Sequence, residues 1–524
     1  MRTLASLLLL TVLALPGLAG AQTRVVVDGD LGEHTINRHI YGHFAEHLGR
    51  DIYDGFWYRP DENSPYRLRD DVIEALRAVE IPNLRWPGGC FADYYHWRDG
   101  IGPASERPKM VNTLWGGVTE DNSFGTHEFM ELVERLGAEP IVVGNVGSGT
   151  VEEMADWWEY VNHPGGSSLA DERAAGGHPE PFGVRFWGVG NESWGCGGSM
   201  TADHYADQYR RFATFLRPMS PDGRAFRIAA GPYMDPRLAT GRENWGDPYE
   251  WTETMMREAG HMIDGLDFHY YTFARLFGAD SGSATEYSEQ EWFVAMDLAL
   301  DVDELITRHS SIMDRYDPDK RVWMIIGEWG IWHDAEPGTP PGFLYQQSTV
   351  RDAVVAGIHL NVFNNHADRV RMANLAQTIN VIQAMILTRG EEMILTPTYH
   401  VFDMFKGHQD ATLLPVHVED TGYTYDGETI PALTVSASRD ENGVVLITLT
   451  NQDPNRGRSL EIDLRGMQAS RATGRVLTSG AMQDHNTFES PDAVAPAVFD
   501  GARLQGSTLT VELPSRSVVA LELR

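Results

Sequence analysis

The sequence predicts a parallel (β/α)8 TIM barrel followed by a C-terminal all-β sandwich domain. Short apolar runs alternate with longer amphipathic stretches from about residue 38 to 395, and eight strand–helix alternations are the pattern of a parallel barrel. Beyond Leu395-Thr396-Pro397 the period changes to short alternating segments divided by turn-rich pieces. The 524 residues exceed one small domain but suit a barrel of roughly 250–350 residues plus one domain of ordinary size. A hydrophobic content of 42% and an aromatic content of 10% supply a large core and exclude a disordered chain.

Residues 1–21 read as a signal peptide. Arg2 is their only charge, Leu4–Leu15 is an apolar run too short for a membrane span, and Ala19-Gly20-Ala21 is a small-x-small cleavage site. Segment 22–37 holds the strand-like Arg24–Val27, expected to cross over and pair with the C-terminal sandwich. The barrel is placed at 38–395. Its strands are Ile40–Phe44, Asn83–Trp86, Pro140–Asn145, Val184–Gly190, Arg227–Gly231, Gly265–His269, Val322–Glu328 and Arg369–Ala373. Leu68–Val79, Gly125–Leu136, Val151–Val161, Ala202–Leu216, Gln290–Arg308 and Leu344–Phe363 carry helical amphipathic patterns. A doubly wound open sheet is the alternative arrangement of the same elements. The sandwich is placed at 396–524, with strands Leu433–Ser438, Val444–Thr450, Ser459–Leu464, Ala472–Leu477, Ser507–Leu513 and Ser517–Leu523.

The formal charge is −33, and −34 once Arg2 is removed with the leader. Such a surface repels nucleic acid and anionic lipid and disfavours polyanionic substrates. A neutral ligand such as a neutral sugar is electrostatically easier, although the charge can equally serve solubility alone. No later stretch reaches the ~20 apolar residues of a membrane helix. The expected mature protein is therefore exported, periplasmic or extracellular. Its two cysteines, Cys90 and Cys196, do not make a disulfide scaffold. An oxidising compartment permits one bridge, and two free thiols are the other option.

In a barrel of this type the functional groups sit at the carboxyl ends of the strands. The fourth strand ends in Asn191-Glu192 and the seventh in Glu328-Trp329-Gly330. Two carboxylates three strands apart at one barrel mouth can face each other across a bound sugar. Glycosidic hydrolysis needs such a pair, one to protonate the leaving oxygen and one to attack or activate water. A single strand-end glutamate is more simply a solvated loop residue; two, each beside glycines and aromatics, are not. The first strand end supplies His43, Glu46 and His47. The second supplies Arg85, Cys90 and Asp93, the sixth His269 and Tyr271, and the eighth leads to Asn374 and Gln377. Polar groups among aromatics suit a sugar pocket.

Other motifs are weaker. His43, Glu46 and His47 lack the order of a zinc-protease helix, so no metal site is assigned. Gly144, Gly147 and Gly149 match a dinucleotide loop only loosely. Asn191-Glu192-Ser193 is formally a glycosylation sequon, but a glycan there would block the site. His333-Asp334 is expected in a solvated loop.

Several stretches together resemble the α-L-arabinofuranosidases of glycoside hydrolase family 51. They are Tyr41–Gly49 (YGHFAEHLG), Leu84–Ala92 (LRWPGGCFA) with Trp97–Pro103 (WRDGIGP), and Trp187–Gly195 (WGVGNESWG). With them go Gly327–Gly330 (GEWG), Phe343–Gln347 (FLYQQ), and Arg369–Ala373 (RVRMA) with Ala376-Gln377. The resemblance spans nearly the whole mature chain and implies retaining, exo-acting removal of terminal non-reducing α-L-arabinofuranosyl groups from plant polysaccharides or oligosaccharides. It implies Glu192 as acid/base and Glu328 as nucleophile, with no cofactor. It implies sugar contacts from Glu46, Asn191, His269, Tyr271 and Gln377, with Arg85 orienting the carboxylates. Many relatives carry Asn where this chain has Cys90, which puts a Cys90 contact with substrate in question, because a thiol is a poor hydroxyl anchor. The family is often hexameric, so the resemblance implies a homo-oligomer. Two rival readings share these residues: a barrel glycosidase of other specificity, such as a β-xylosidase or endo-glucanase, and a non-catalytic sugar-binding protein.

Overall fold

The computed structural model describes residues 23–221, 223–239, 245–275 and 281–524. The leader assigned to residues 1–21 lies outside them. After β1 (Thr23–Asp28), eight parallel strands close into a barrel: β2 (Gly42–Phe44), β3 (Asn83–Trp86), β4 (Glu139–Gly144), β5 (Phe186–Val189), β6 (Phe226–Tyr233), β7 (Gly265–Phe273), β8 (Trp323–Trp332) and β9 (Val370–Leu375). Each strand pairs with its neighbours in sequence, and β9 returns to β2. This is the predicted closed barrel rather than an open sheet, which would leave two edges unpaired.

Side-chain alternation along the strands separates two cores. Ile141, Phe186, Phe226, Ile228, Ile325 and Met372 come from strands all around the barrel yet pack on one another, so they fill its interior. The alternate residues face the helices. On β7, for example, Leu266, Phe268 and Tyr270 belong to the large strand–helix core, while Asp267, His269 and Tyr271 take the opposite face. The surrounding helices begin where the chain supplies caps: Thr150 accepts from the Glu153 amide at the start of α1 (Val151–Asn162), and Ser288 forms a capping box with Glu291 at the start of α2 (Glu289–Asp314).

The C-terminal part is two packed sheets, antiparallel apart from one strand pair, with their own apolar core, including Val25, Leu449, Ile462 and Leu521. β1 lies within the five-stranded sheet, parallel to Arg458–Arg465 and antiparallel to Val416–Glu419. The six-stranded sheet contains Leu433–Arg439, Val445–Asn451 and Ser517–Leu523.

Helix α3 (Val350–Asn365) departs from the amphipathic expectation: residues 350–364 are all buried. The sandwich covers the face that would otherwise meet solvent. Gly357 lies so close to it that a Cβ there would sit 2.6 Å from Thr450 Oγ1. Asn361 exchanges hydrogen bonds with Thr434, Thr448 and Thr450. His333 also corrects the sequence reading. It is 1% exposed rather than solvated, with Arg351 Nη2 3.0 Å from its Nε2, and burial pushes its pKa down to about 4. Among the described residues no helix is long and apolar enough to cross a membrane.

Candidate active site

The two glutamates reach the barrel mouth by different backbone routes. Glu328 lies within the ten-residue β8, where the pairing with β7 shifts register between Ile326 and Glu328, and is 5% exposed. Glu192 follows the four-residue β5, past Gly190 at φ +78°, and itself takes φ +40°. A left-handed glutamate is strained; here it turns the carboxylate back over the barrel. Glu192, His269 and Glu328 each present an atom within 4.8 Å of the others. Such a close approach suits the ~5 Å separation of a retaining pair.

Both Glu328 oxygens are held: Arg85 Nη1 donates to Oε1 at 3.0 Å and Tyr271 Oη donates to Oε2 at 2.9 Å. Arg85 also donates through Nη2 to Asn191 Oδ1 at 2.5 Å and lies over the Phe44 ring. Glu192 Oε1 is 2.9 Å from His269 Nδ1. Burial raises the Glu192 pKa, and the Glu328 charge adds to this, while His269 pulls it back. Burial works against a charge on His269, but Glu328, Asp267 and Glu192 outweigh it and hold its pKa up to about 10. Glu192, His269 and Glu328 thus form one charge-coupled cluster that can hold and move protons.

Glu46 is buried beside this pair. It accepts from the Phe91 amide at 3.2 Å, Trp115 Nε1 at 3.0 Å and Gln377 Nε2 at 2.9 Å. Burial and the Glu328 charge push its pKa up to about 8. The structure thus brings Glu46, Arg85, Asn191, Glu192, His269, Tyr271, Glu328 and Gln377 into one contiguous network. Asn374 lies apart from it, bonding His43 O and Asn83 between β9 and its neighbours.

Cys90 is at the site, but as half of a Cys90–Cys196 disulfide with Cα atoms 5.6 Å apart. The sulfurs lie 3.7 Å and 3.4 Å from Glu192 Oε2. Neither carries a proton, so these are packing contacts, and the expected role of Cys90 as a hydroxyl anchor loses its donor.

Two residues, Trp115 and Asp267, enter the site that the sequence reading did not assign to it, and Asp93, which it named at the second strand end, takes a role in the backbone there. Trp115 holds Glu46. Asp93 accepts from the amides of Val146, Gly147 and Asn191 at 2.7–2.9 Å, fixing the loop before Glu192. Asp267 lies beneath His269. Of the two unassigned residues, Asp267 had a readable signal: it is two residues before His269 on one strand and so shares its face.

Two family models match the chain: an α-L-arabinofuranosidase 1 domain over residues 75–288 and an α-L-arabinofuranosidase C-terminal domain over residues 327–517. The crystal structure of a GH51 arabinofuranosidase from Xanthomonas axonopodis pv. citri superposes with TM-score 0.91 at 46% identity, covering 96% of this chain and 100% of that one. The chain belongs to the α-L-arabinofuranosidases of glycoside hydrolase family 51. It is accordingly a glycoside hydrolase. An intracellular exo-α-L-arabinofuranosidase from Bacteroides ovatus is 47% identical over 95% of both chains. An intracellular exo-α-(1→5)-L-arabinofuranosidase from Streptomyces lividans is 28% identical over 94% of this chain and 73% of that one. These relatives overturn one expectation. The enzyme was expected to be exported, on the strength of its N-terminal residues, whereas both relatives are named as intracellular.

Proposed function

We propose that the enzyme releases terminal α-L-arabinofuranosyl groups from neutral saccharides by double displacement, with Glu192 as acid/base and Glu328 as nucleophile. The observation that carries this reading is the close approach of the two carboxylates, within 4.8 Å at the barrel mouth. Arg85 and Tyr271 hold Glu328 by both oxygens, so it is aimed for attack on the anomeric carbon. Burial keeps Glu192 protonated above the usual glutamate range, as a general acid requires. Glu192 gives its proton to the leaving oxygen while Glu328 forms a covalent arabinosyl ester. Glu192, now a base, takes a proton from water, which attacks the same anomeric carbon and restores Glu328. No step needs an electron carrier or a metal.

Glu46, Asn191 and Gln377 offer the donors and acceptors that would hold the sugar hydroxyls. An exposed cleft of about 850 Å³ beside α2 and the sandwich is a poor alternative site, because its Glu289 already accepts from Tyr423 and Asn455. The test is hydrolysis of aryl α-L-arabinofuranoside beside aryl β-xyloside, with the anomer of the first-formed sugar read by NMR. Preference for the arabinofuranoside with retained configuration is expected. Preference for the xyloside, inversion, or no hydrolysis of either would overturn the reading.

A further inference from the structure

Beneath the catalytic pair lies a third carboxylate that the mechanism above does not use. Asp267 is on β7, two residues before His269 and on the same face. It is 8% exposed, and its Oδ1 has no hydrogen-bond partner among the described residues. Its Oδ2 is 3.6 Å from His269 Nε2 and 3.7 Å from Arg85 Nη2. These are ion-pair distances, and they join it to the two cations that touch the catalytic glutamates. Arg85 is bonded to Glu328. His269 presents Nδ1 to both glutamates, 2.9 Å from Glu192 Oε1 and 3.5 Å from Glu328 Oε2. The backbone beside the nucleophile is shaped to admit Asp267. A Cβ on Gly327 would lie 1.9 Å from Asp267 Oδ1, so only glycine before Glu328 leaves this carboxylate its place.

We propose that Asp267 is a positioning residue for the hydrolytic reaction: it keeps His269 cationic and oriented so that one imidazolium N–H serves whichever catalytic glutamate is negative. The proposal rests on the assignment of Glu192 and Glu328 above. During glycosylation the negative charge leaves Glu328, which becomes an ester, and appears on Glu192, which has given its proton to the leaving group. Deglycosylation reverses this. Both positions lie within reach of Nδ1, so the ring can stabilise the charge in each half-reaction with its own proton retained and a shift of a few tenths of an ångström. A neutral imidazole has one N–H; if that sat on Nε2 toward Asp267, Nδ1 would turn a lone pair toward the carboxylates and repel them. Keeping both ring nitrogens protonated removes that state. The groups facing His269 are Glu192 beyond β5, Glu328 on β8 and Asp267 on its own strand. Arg85 on β3 opposes its charge, and Glu46 on β2 interacts with Arg85. The balance favours the imidazolium, with Asp267 one of its main supports.

The test is Asp267→Asn, which keeps the shape and removes the charge, with His269 followed by NMR on histidine-labelled enzyme and assigned with His269→Asn. In the wild type the ring is expected to stay charged through pH 8.5. In Asp267→Asn it should titrate at least one pH unit lower than in the wild type. The kcat/KM for an aryl arabinofuranoside should fall tenfold or more, with a new loss of activity across that titration and KM changed less than threefold. The wild-type titration needs no variant, so the idea can fail even if Asp267→Asn does not fold: a His269 that is neutral at pH 8 in the wild type overturns it. So does an Asp267→Asn enzyme that loses thermal stability but keeps the wild-type pH profile, the result a purely structural carboxylate would give. Glu192→Ala and Glu328→Ala are measured alongside. If they remain active, the catalytic assignment itself is wrong; if they are inactive while Asp267→Asn behaves as wild type, only the role of Asp267 falls.

Discussion

The exits of β5 and β8 each deliver one glutamate to the same pocket, and they do so in opposite ways. β8 runs on for ten residues, and Glu328 sits inside it, just past a register shift against β7, with a donor on each oxygen. β5 stops after four residues, and Glu192 follows it in a left-handed turn with one oxygen near His269 and the other against a disulfide. One carboxylate is clamped for attack. The other is less tightly bonded, buried and strained, which suits a group that must gain and lose a proton at each turnover. The comparison teaches that equal residue types at equivalent strand ends acquire different chemistry from their donors.

The largest expected effect breaks the clamped side. Glu328→Ala removes the nucleophile and should lower kcat on an aryl arabinofuranoside by about 10⁴-fold or more, roughly 5 kcal/mol of barrier. Added azide should then give a glycosyl azide of inverted configuration. A variant retaining a tenth of the wild-type rate would show that Glu328 is not the nucleophile.

Next comes the strained side. Glu192→Ala should slow glycosylation by about 10²–10⁴-fold for a sugar leaving group, and far less for an activated phenol, which leaves without protonation. Deglycosylation slows for both, so the covalent intermediate should accumulate and be seen by mass spectrometry. The wild-type sign follows from the raised Glu192 pKa: the protonated acid persists above the usual glutamate range, and glycosylation is lost as pH rises through that pKa. Equal slowing for good and poor leaving groups would contradict the acid role.

A smaller change sharpens the clamp. Tyr271→Phe deletes the donor to Glu328 Oε2 and should cost about 10–100-fold in kcat, the value of roughly 1.5–3 kcal/mol for a hydrogen bond to a charged group. An unchanged kcat would mean that Arg85 alone suffices to hold Glu328.

The smallest effect concerns the bridge behind Glu192. The denatured, unreduced protein should show no titratable thiol. Reduction should lower Tm by a few degrees, since the 106-residue separation of the cysteines sets a ceiling of about 4–5 kcal/mol that bridges seldom reach. Two titratable thiols would remove the disulfide from the comparison.

The barrel was legible because its signal is local. Each of the eight strands is a short apolar run, and every one of the runs marked in the sequence overlaps a strand of the closed barrel. Parallel topology then brings all the carboxyl ends to one face, so Asn191-Glu192 and Gly327-Glu328, far apart in the chain, could be placed in one pocket without coordinates. The helical pattern of α3 was also readable, but not that a second domain would bury its outer face.

By itself the sequence determined the period of each element, the fold class that follows from it, and the strand-end residues on which the chemistry rests. Only the tertiary structure decided that Cys90 and Cys196 pair, that His333 is buried against Arg351, and that Asp267 stands under both Arg85 and His269. Pattern fixes which face of an element turns inward. Which inward groups meet depends on how strands from across the barrel converge, and a distance such as the 3.7 Å between Asp267 and Arg85 exists only once the barrel has closed.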